Sequence, residues 1–256
     1  MADRESPPER EGAMKELDFS GKSVLVVGGS SGIGNGIAQA FRARGAKVAV
    51  WGTRTQASDY KKDDGSDMAG LSYAQVDVGD FDAIKRQPDL DRLDVLVLSQ
   101  GQVLYKRAEF EIEGFQQVID VNLNSLMACA AKFYKALCAA KGKLIIISST
   151  AAYHSTKGNP AYNASKTGAL GLTRTLGEAW AVDGIRVNGI APGLVDTKMT
   201  KVTTSNPQRL QGTLERIPLH RLGTPQDMAG VALFLASDLS AYVVGQTIPV
   251  DGGLIL

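Results

Sequence analysis

Val24-Leu25-Val26-Val27 runs directly into Gly28-Gly29-Ser30-Ser31-Gly32-Ile33-Gly34, and this junction constrains the fold more than any other stretch. A continuous β-branched run reads as a strand buried on both faces, as in a parallel sheet. From Ile33 onwards the apolar residues Ile33, Ile37, Ala40 and Phe41 follow the helical period. Gly28 to Gly34 is therefore expected to be a strand-to-helix turn. Glycines in such a turn permit positive φ and let backbone approach a ligand closely, and the helix behind them points unpaired amides at an anion. The spacing through Gly28, Gly32 and Gly34 is Gly-x-x-x-Gly-x-Gly, whereas the widespread dinucleotide-binding pattern is Gly-x-Gly-x-x-Gly.

Further buried strands are expected at Lys47 to Trp51, Ser72 to Asp77, Asp94 to Leu98, Lys143 to Ser148, Ile185 to Ile190 and Gln246 to Val250. Helical patterns fall between them, at about Phe115 to Ala140, Ala161 to Val182 and Pro225 to Ala236. Apolar strands alternating with helices imply an α/β fold: a doubly wound, Rossmann-like parallel sheet with helices on both faces. Ligands bind such sheets at the carboxyl ends of the strands. Gly28, Asp77, Gly101, Ser149 and Pro192 all follow strand ends, so one cleft is expected to gather them.

With 256 residues and no internal linker, a single domain over 17–256 is expected. Residues 1–16 are rich in Arg, Glu and Pro, lack the apolar run of a signal peptide and read as a mobile tail. Lys plus Arg (28) balances Asp plus Glu (27), which argues against nucleic-acid and membrane partners. No apolar stretch approaches the ~20 residues of a membrane span. Cys129 and Cys138, nine apart on one expected helix, point to nearly opposite faces, so no disulfide is expected and a cytoplasmic location fits. His154 and His220 are the only histidines, and no ligand spacing suggests a metal.

Chemistry enters at Tyr162-Asn163-Ala164-Ser165-Lys166, where Tyr and Lys four apart share one helical face. A free tyrosine has a pKa near 10 and needs a nearby cation to work near neutrality. The spacing alone is weak, because 7 Tyr and 15 Lys in this chain predict roughly 0.4 chance occurrences. Tyr153 and Lys157 repeat it, but Gly158 and Pro160 mark their segment as a loop. Position separates the two. The strand Lys143 to Ser148 delivers Ser149 to the cleft thirteen residues before Tyr162, where its hydroxyl would hold an oxygen that Tyr162 protonates or deprotonates. As a hydrolytic nucleophile Ser149 lacks a Gly-x-Ser-x-Gly elbow and a histidine partner.

Together these residues resemble the short-chain dehydrogenase/reductase family, from about Asp18 to the C-terminus. The glycine motif matches Val27 to Gly34, with Val27 where the family usually has Thr, and Asp77 resembles the family's adenine-contacting Asp. Asn122 in Val121-Asn122-Leu123, together with Ser149, Tyr162 and Lys166, resembles its catalytic set. The segment Val187 to Gly193, with Val195 and Thr197, resembles the part that seats the nicotinamide. The resemblance implies an NAD(P)(H)-dependent oxidoreductase that interconverts a secondary alcohol and a ketone, nearest to 3-oxoacyl-thioester reductases and broad-specificity ketone reductases. It implies that Tyr162 is the general acid/base, that Lys166 lowers its pKa and bonds the nicotinamide ribose, and that Asn122 supports a proton relay. The cofactor would lie on Gly28, Ser30, Ser31, Gly32, Ile33 and Gly34, on Thr53, Arg54, Asp77, Val78, Ser99 and Gly101, and on Pro192 and Gly193. A homotetramer is implied by resemblance alone. One departure is Leu98-Ser99-Gln100-Gly101, where the family usually has Asn-Asn-Ala-Gly, which brings a larger Gln100 beside the cofactor.

An NAD enzyme carries an acid about 20 residues after the glycine turn for the ribose 2′-hydroxyl. No acid lies between Gly34 and Asp59, and Arg54 would form charge-assisted bonds to a 2′-phosphate, so NADP(H) is expected over NAD(H). Residues 198–218 read as a lid over a small carbonyl or alcohol substrate, with Tyr153 and His154 as candidate substrate contacts. The competing readings are a cofactor-sensing or scaffold member of the same fold and a serine hydrolase.

Overall fold

A computed structural model describes residues 15–62 and 65–256. Residues 1–14 of the expected tail lie outside the described residues, and Lys15–Leu17 form a single 3-10 turn. The strands are β1 (Ser23–Val27), β2 (Lys47–Gly52), β3 (Ser72–Gln75), β4 (Val95–Leu98), β5 (Lys143–Ile147), β6 (Arg186–Pro192) and β7 (Thr247–Val250). They make one seven-stranded sheet in the order β3-β2-β1-β4-β5-β6-β7, with every pair parallel. The order reverses between β1 and β4, and that switch point is where an open α/β sheet leaves a crevice.

The helices are α1 (Gly32–Arg42), α2 (Phe81–Arg86), α3 (Ile112–Ile119), α4 (Ser125–Ala140), α5 (Pro160–Trp180), α6 (Lys201–Thr204), α7 (Pro207–Arg216) and α8 (Pro225–Ala236). Successive strand residues point to opposite faces, so each apolar run feeds two cores. Val24 and Val26 of β1 join Ile145 and Ile147 of β5 on the side of α1 and α8, where Ile37, Phe41 and Leu233 close over them. Leu25 and Val27 join Leu144 and Ile146 on the side of α4 and α5, under Leu126, Phe133 and Leu176. Fully burying one such Leu, Ile or Phe is worth ~1.5–3 kcal/mol. Two cores of this kind clamp the sheet and hold its strand ends in register.

Three elements differ from their expected form. The helix expected over Phe115 to Ala140 begins at Ile112 and is divided by a π turn, Asp120–Asn124, between α3 and α4. Such a turn inserts one extra residue and re-aims a side chain, a device frequent at functional sites. The strand expected to reach Asp77 stops at Gln75, because the Asp77 carboxylate accepts from Gly79 N at 2.9 Å and turns the chain. The expected lid is largely helical, with a 3-10 turn Lys198–Thr200 followed by α6 and α7. Cys129 is buried, Cys138 half-buried, and both are free thiols.

Candidate active site

A cleft of about 540 Å³ opens at the carboxyl ends of β1, β2, β4, β5 and β6. Its floor is the glycine turn. Gly28 has φ +74, and a Cβ there would sit 2.8 Å from the Gln100 amide nitrogen at the end of β4. A Cβ on Gly34 would lie 2.3 Å from the Gly28 carbonyl oxygen. Only glycine lets the turn pass this close to β4 and fold back on itself. Beyond it, Ser31 caps α1 without a side-chain hydrogen bond, and the first turn of the helix contains no acid. The first amides of a helix have no intrahelical acceptor, so this end of the cleft is a donor-rich, acid-free cradle that fits a pyrophosphate.

Tyr162 stands in the opposite wall, on the first turn of α5, and Ser149 follows the end of β5. The Ser149 Oγ accepts from Ala151 N at 3.1 Å and lines the same cleft as the Tyr162 phenol. Burial pushes that phenol above its ordinary pKa of 10; the Ser149 hydroxyl pulls it back, and Tyr105 and Glu109 push it further up. Lys166 is 4% exposed and donates to the Ile147 carbonyl oxygen at 2.9 Å. Its ammonium lies 5.7 Å from the centre of the Tyr162 ring, and burial brings its pKa down to about 8.

The cleft brings together Ser149 and every residue expected to hold the cofactor except Arg54. The Arg54 guanidinium instead lies 4.7 Å from the centre of the Tyr60 ring and donates to the Asp59 carbonyl. Tyr60, which also does not line the cleft, holds it there. The Tyr60 hydroxyl accepts from Arg54 N at 3.1 Å, and it and the Ser30 hydroxyl both crowd Gly52 at the end of β2, where an added Cβ would lie 2.5 Å from each. No sequence signal marked Tyr60, which arrives from a loop rather than from a strand end.

Asn122 lies within the π turn, fully buried and outside the lining of the cleft. Its Oδ1 accepts from Gln102 N at 2.8 Å, and its Nδ2 donates to Gln102 O at 2.9 Å and to Ser165 Oγ at 3.2 Å. These bonds tie the loop after β4 to α5. Gln100 turns away from the glycine turn and donates to Ser125 Oγ at 3.0 Å. Its Oε1 is buried without a partner. Tyr153 and His154 are exposed and do not line the cleft; the Tyr153 hydroxyl donates to Thr247 O at 3.3 Å. Among the described residues no His, Cys, Asp and Glu group suits a metal, and no helix is long and apolar enough to cross a membrane.

A family model described as enoyl-(acyl carrier protein) reductase matches residues 27–255. The 3-oxoacyl-[acyl-carrier-protein] reductase of Chlamydia muridarum is 38% identical, over 91% of this chain and 97% of that protein. The chain belongs to the short-chain dehydrogenase/reductase family. The 2-dehydro-3-deoxy-D-gluconate 5-dehydrogenase of Bacillus subtilis is 36% identical, over 93% of this chain and 96% of its own length. Among solved structures, a putative 2-deoxy-D-gluconate 3-dehydrogenase from Agrobacterium tumefaciens with bound NADP superposes with a TM-score of 0.84. It is 34% identical, with 94% of this chain and 99% of that one covered. As a member of this family the protein is an NAD(P)-dependent oxidoreductase that interconverts an alcohol and a carbonyl group.

Proposed function

We propose that the chain reduces a 3-oxoacyl thioester, or a ketone of similar size, with NADP(H) as the favoured cofactor. The observation that carries this reading is that Ser149, Tyr162 and Lys166 line one cleft floored by the glycine turn. When bound, the cofactor supplies or accepts the hydride. The amides at the start of α1 would hold its pyrophosphate, and Asp77 and Val78 would border its adenine end. Lys166 and Tyr162 would face the nicotinamide ribose from α5. Ser149 donates a hydrogen bond to the substrate oxygen, and Tyr162 transfers its phenolic proton to that oxygen. Burial keeps the phenol protonated at neutral pH, which suits an acid acting on a ketone. Asn122 acts from behind, holding Gln102 and α5 in place.

NADP(H) preference is supported by the absence of an acidic side chain among the residues that line the cleft at the end of β2, where Ser30, Gly52 and Thr53 stand. The 3-oxoacyl class is supported by the similarity to carrier-protein reductases. The free thiols of Cys129 and Cys138 suit a reducing compartment such as the cytoplasm, and a homotetramer is proposed from the resemblance, to be read by light scattering. The deciding experiment is absorbance of NADPH and NADH over a panel with acetoacetyl-coenzyme A, small ketones and gluconate. Turnover of the thioester with NADPH is the expected result. Cofactor binding without turnover across the panel would favour a sensing or scaffold role, and ester cleavage without cofactor a hydrolase.

A further inference from the structure

Glu109 lies on the short 3-10 turn Ala108–Phe110, and it is 0% exposed. Its Oε1 accepts from Leu104 N at 3.0 Å and from Asn159 Nδ2 at 3.1 Å, and its Oε2 accepts from Tyr162 N at 2.9 Å. Every one of these partners is an N–H donor and none is a cation. Both oxygens act as acceptors, which is the pattern of an ionised carboxylate. A buried charge costs several kcal/mol unless hydrogen bonds compensate it, so a chain does not place one idly.

The location explains what the charge can do. Helix α5 starts with Asn159 as its cap and Pro160 at its first position, and the Asn159 side chain forms no capping bond. Its amide points away from the helix, to Leu104 O at 2.9 Å and to Glu109. Glu109, 53 residues distant in sequence, replaces the missing cap by accepting the third-position amide, which is that of Tyr162 itself. A carboxylate at a helix N-terminus also complements the helix dipole. The same carboxylate holds Leu104, next to Tyr105, whose hydroxyl bonds Met199 O of the lid at 2.8 Å.

We propose that Glu109 is a positioning residue: it locks the loop after β4 to the first turn of α5 and so sets where the Tyr162 phenol stands in the cleft. The proposal rests on Tyr162 being the general acid. Glu109 also acts on the phenol through its charge. The groups that face Tyr162 are Ser149 from the end of β5, Tyr105 and Glu109 from the loop after β4, and Lys166 from α5. Of these, Tyr105 and Glu109 oppose phenolate formation while Ser149 favours it. Removing the negative charge of Glu109 therefore makes the phenol easier to ionise.

The test is Glu109→Gln, which keeps size but offers an amide where all three partners are donors. Folding is checked by circular dichroism, NADPH binding by fluorescence, and turnover with acetoacetyl-coenzyme A and, in reverse, 3-hydroxybutyryl-coenzyme A. The expected result is NADPH affinity within about twofold of wild type and kcat lowered about tenfold or more, with KM changed less. The rising limb of the oxidation pH profile moves to lower pH by ~0.5 unit. A folded variant with wild-type kcat and an unmoved limb overturns the proposal. Should Glu109→Gln not fold, Asn159→Ala removes the two ties of its amide, to Leu104 O and to Glu109, but keeps the charge. A fall of about threefold or more in kcat with an unmoved pH limb then supports the proposal, and wild-type kcat overturns it. Tyr162→Phe run in parallel separates the two ideas. If it keeps turnover, the acid assignment itself fails; if it is inactive while Glu109→Gln is unchanged, only the role of Glu109 fails.

Discussion

The Lys166 ammonium donates to the Ile147 carbonyl oxygen at 2.9 Å, at the end of the strand that also delivers Ser149. The bond parks a cation beneath the cleft where water barely reaches, and desolvation brings its pKa down to about 8 from 10.5. The unfolded chain then binds more protons than the folded one between about pH 8 and 10.5, so stability rises with pH across that window and the cost is complete below it. Lys166→Met, which removes the charge and fills similar space, is expected to abolish turnover. It should also raise stability at pH 7 by on the order of 1–3 kcal/mol. Thermal melts of both proteins at pH 7 and above pH 10 check this: the gain of the variant must shrink at the higher pH.

The Ser149–Tyr162 pair predicts a sharp contrast between two tyrosines. Tyr162→Phe deletes the only proton the phenol can give, so turnover should fall about 10²-fold or more while NADPH binding persists. Tyr153→Phe removes a 3.3 Å bond to Thr247 O on an exposed side chain, so kcat and KM should stay within about twofold. Steady-state kinetics and fluorescence titration of the two variants decide the matter, and equal losses in both would remove Tyr162 from its role.

Why the site was so largely legible follows from where its parts lie. The β1 and β5 runs declare themselves because a strand buried on both faces has no polar alternation, and whatever follows such strands must reach the cleft. Helix α8 is read to the residue, since Thr224 caps it reciprocally with Asp227 and Pro225 opens it. The π turn was not legible, because one extra residue barely disturbs the apolar period of a long helix. The direction of Arg54 depends on the ring of Tyr60, which belongs to a polar loop without periodicity. Glu109 escaped for a related reason. In Arg107-Ala108-Glu109-Phe110-Glu111 a carboxylate looks like solvated surface, and only the fold reveals three buried donors around it.

Cofactor choice turns on the charge near β2. The guanidinium of Arg54 stacks on Tyr60 close to Thr53, and a 2′-phosphate would draw it by charge-assisted bonds that a 2′-hydroxyl offers only weakly. Arg54→Ala is expected to lower kcat/KM and affinity for NADPH about tenfold and those for NADH less than about threefold. Titration with both cofactors tests this, and comparable kcat/KM for the two in the wild-type protein would contradict the preference.

The Tyr105 hydroxyl donates to the Met199 carbonyl oxygen at 2.8 Å, so one side chain spans from the loop after β4 to the lid. Met199 lines the cleft and begins the segment that carries α6 and α7. Among the described residues α7 is without a single buried residue and the expected lid segment is anchored at its far end by the buried Ile217, so each polar tie along α7's approach weighs more. Tyr105→Phe keeps the ring and deletes the tie, which is worth ~1 kcal/mol. Amide exchange over 198–216 should then quicken about fivefold, and KM for acetoacetyl-coenzyme A should rise severalfold, because the closed lid is less populated. Chemistry is left to Tyr162, which loses only a neighbour that opposed its ionisation, so the single-turnover rate should not fall. Unchanged exchange over 198–216, or a loss confined to the single-turnover rate, would show that the bond does not govern the lid.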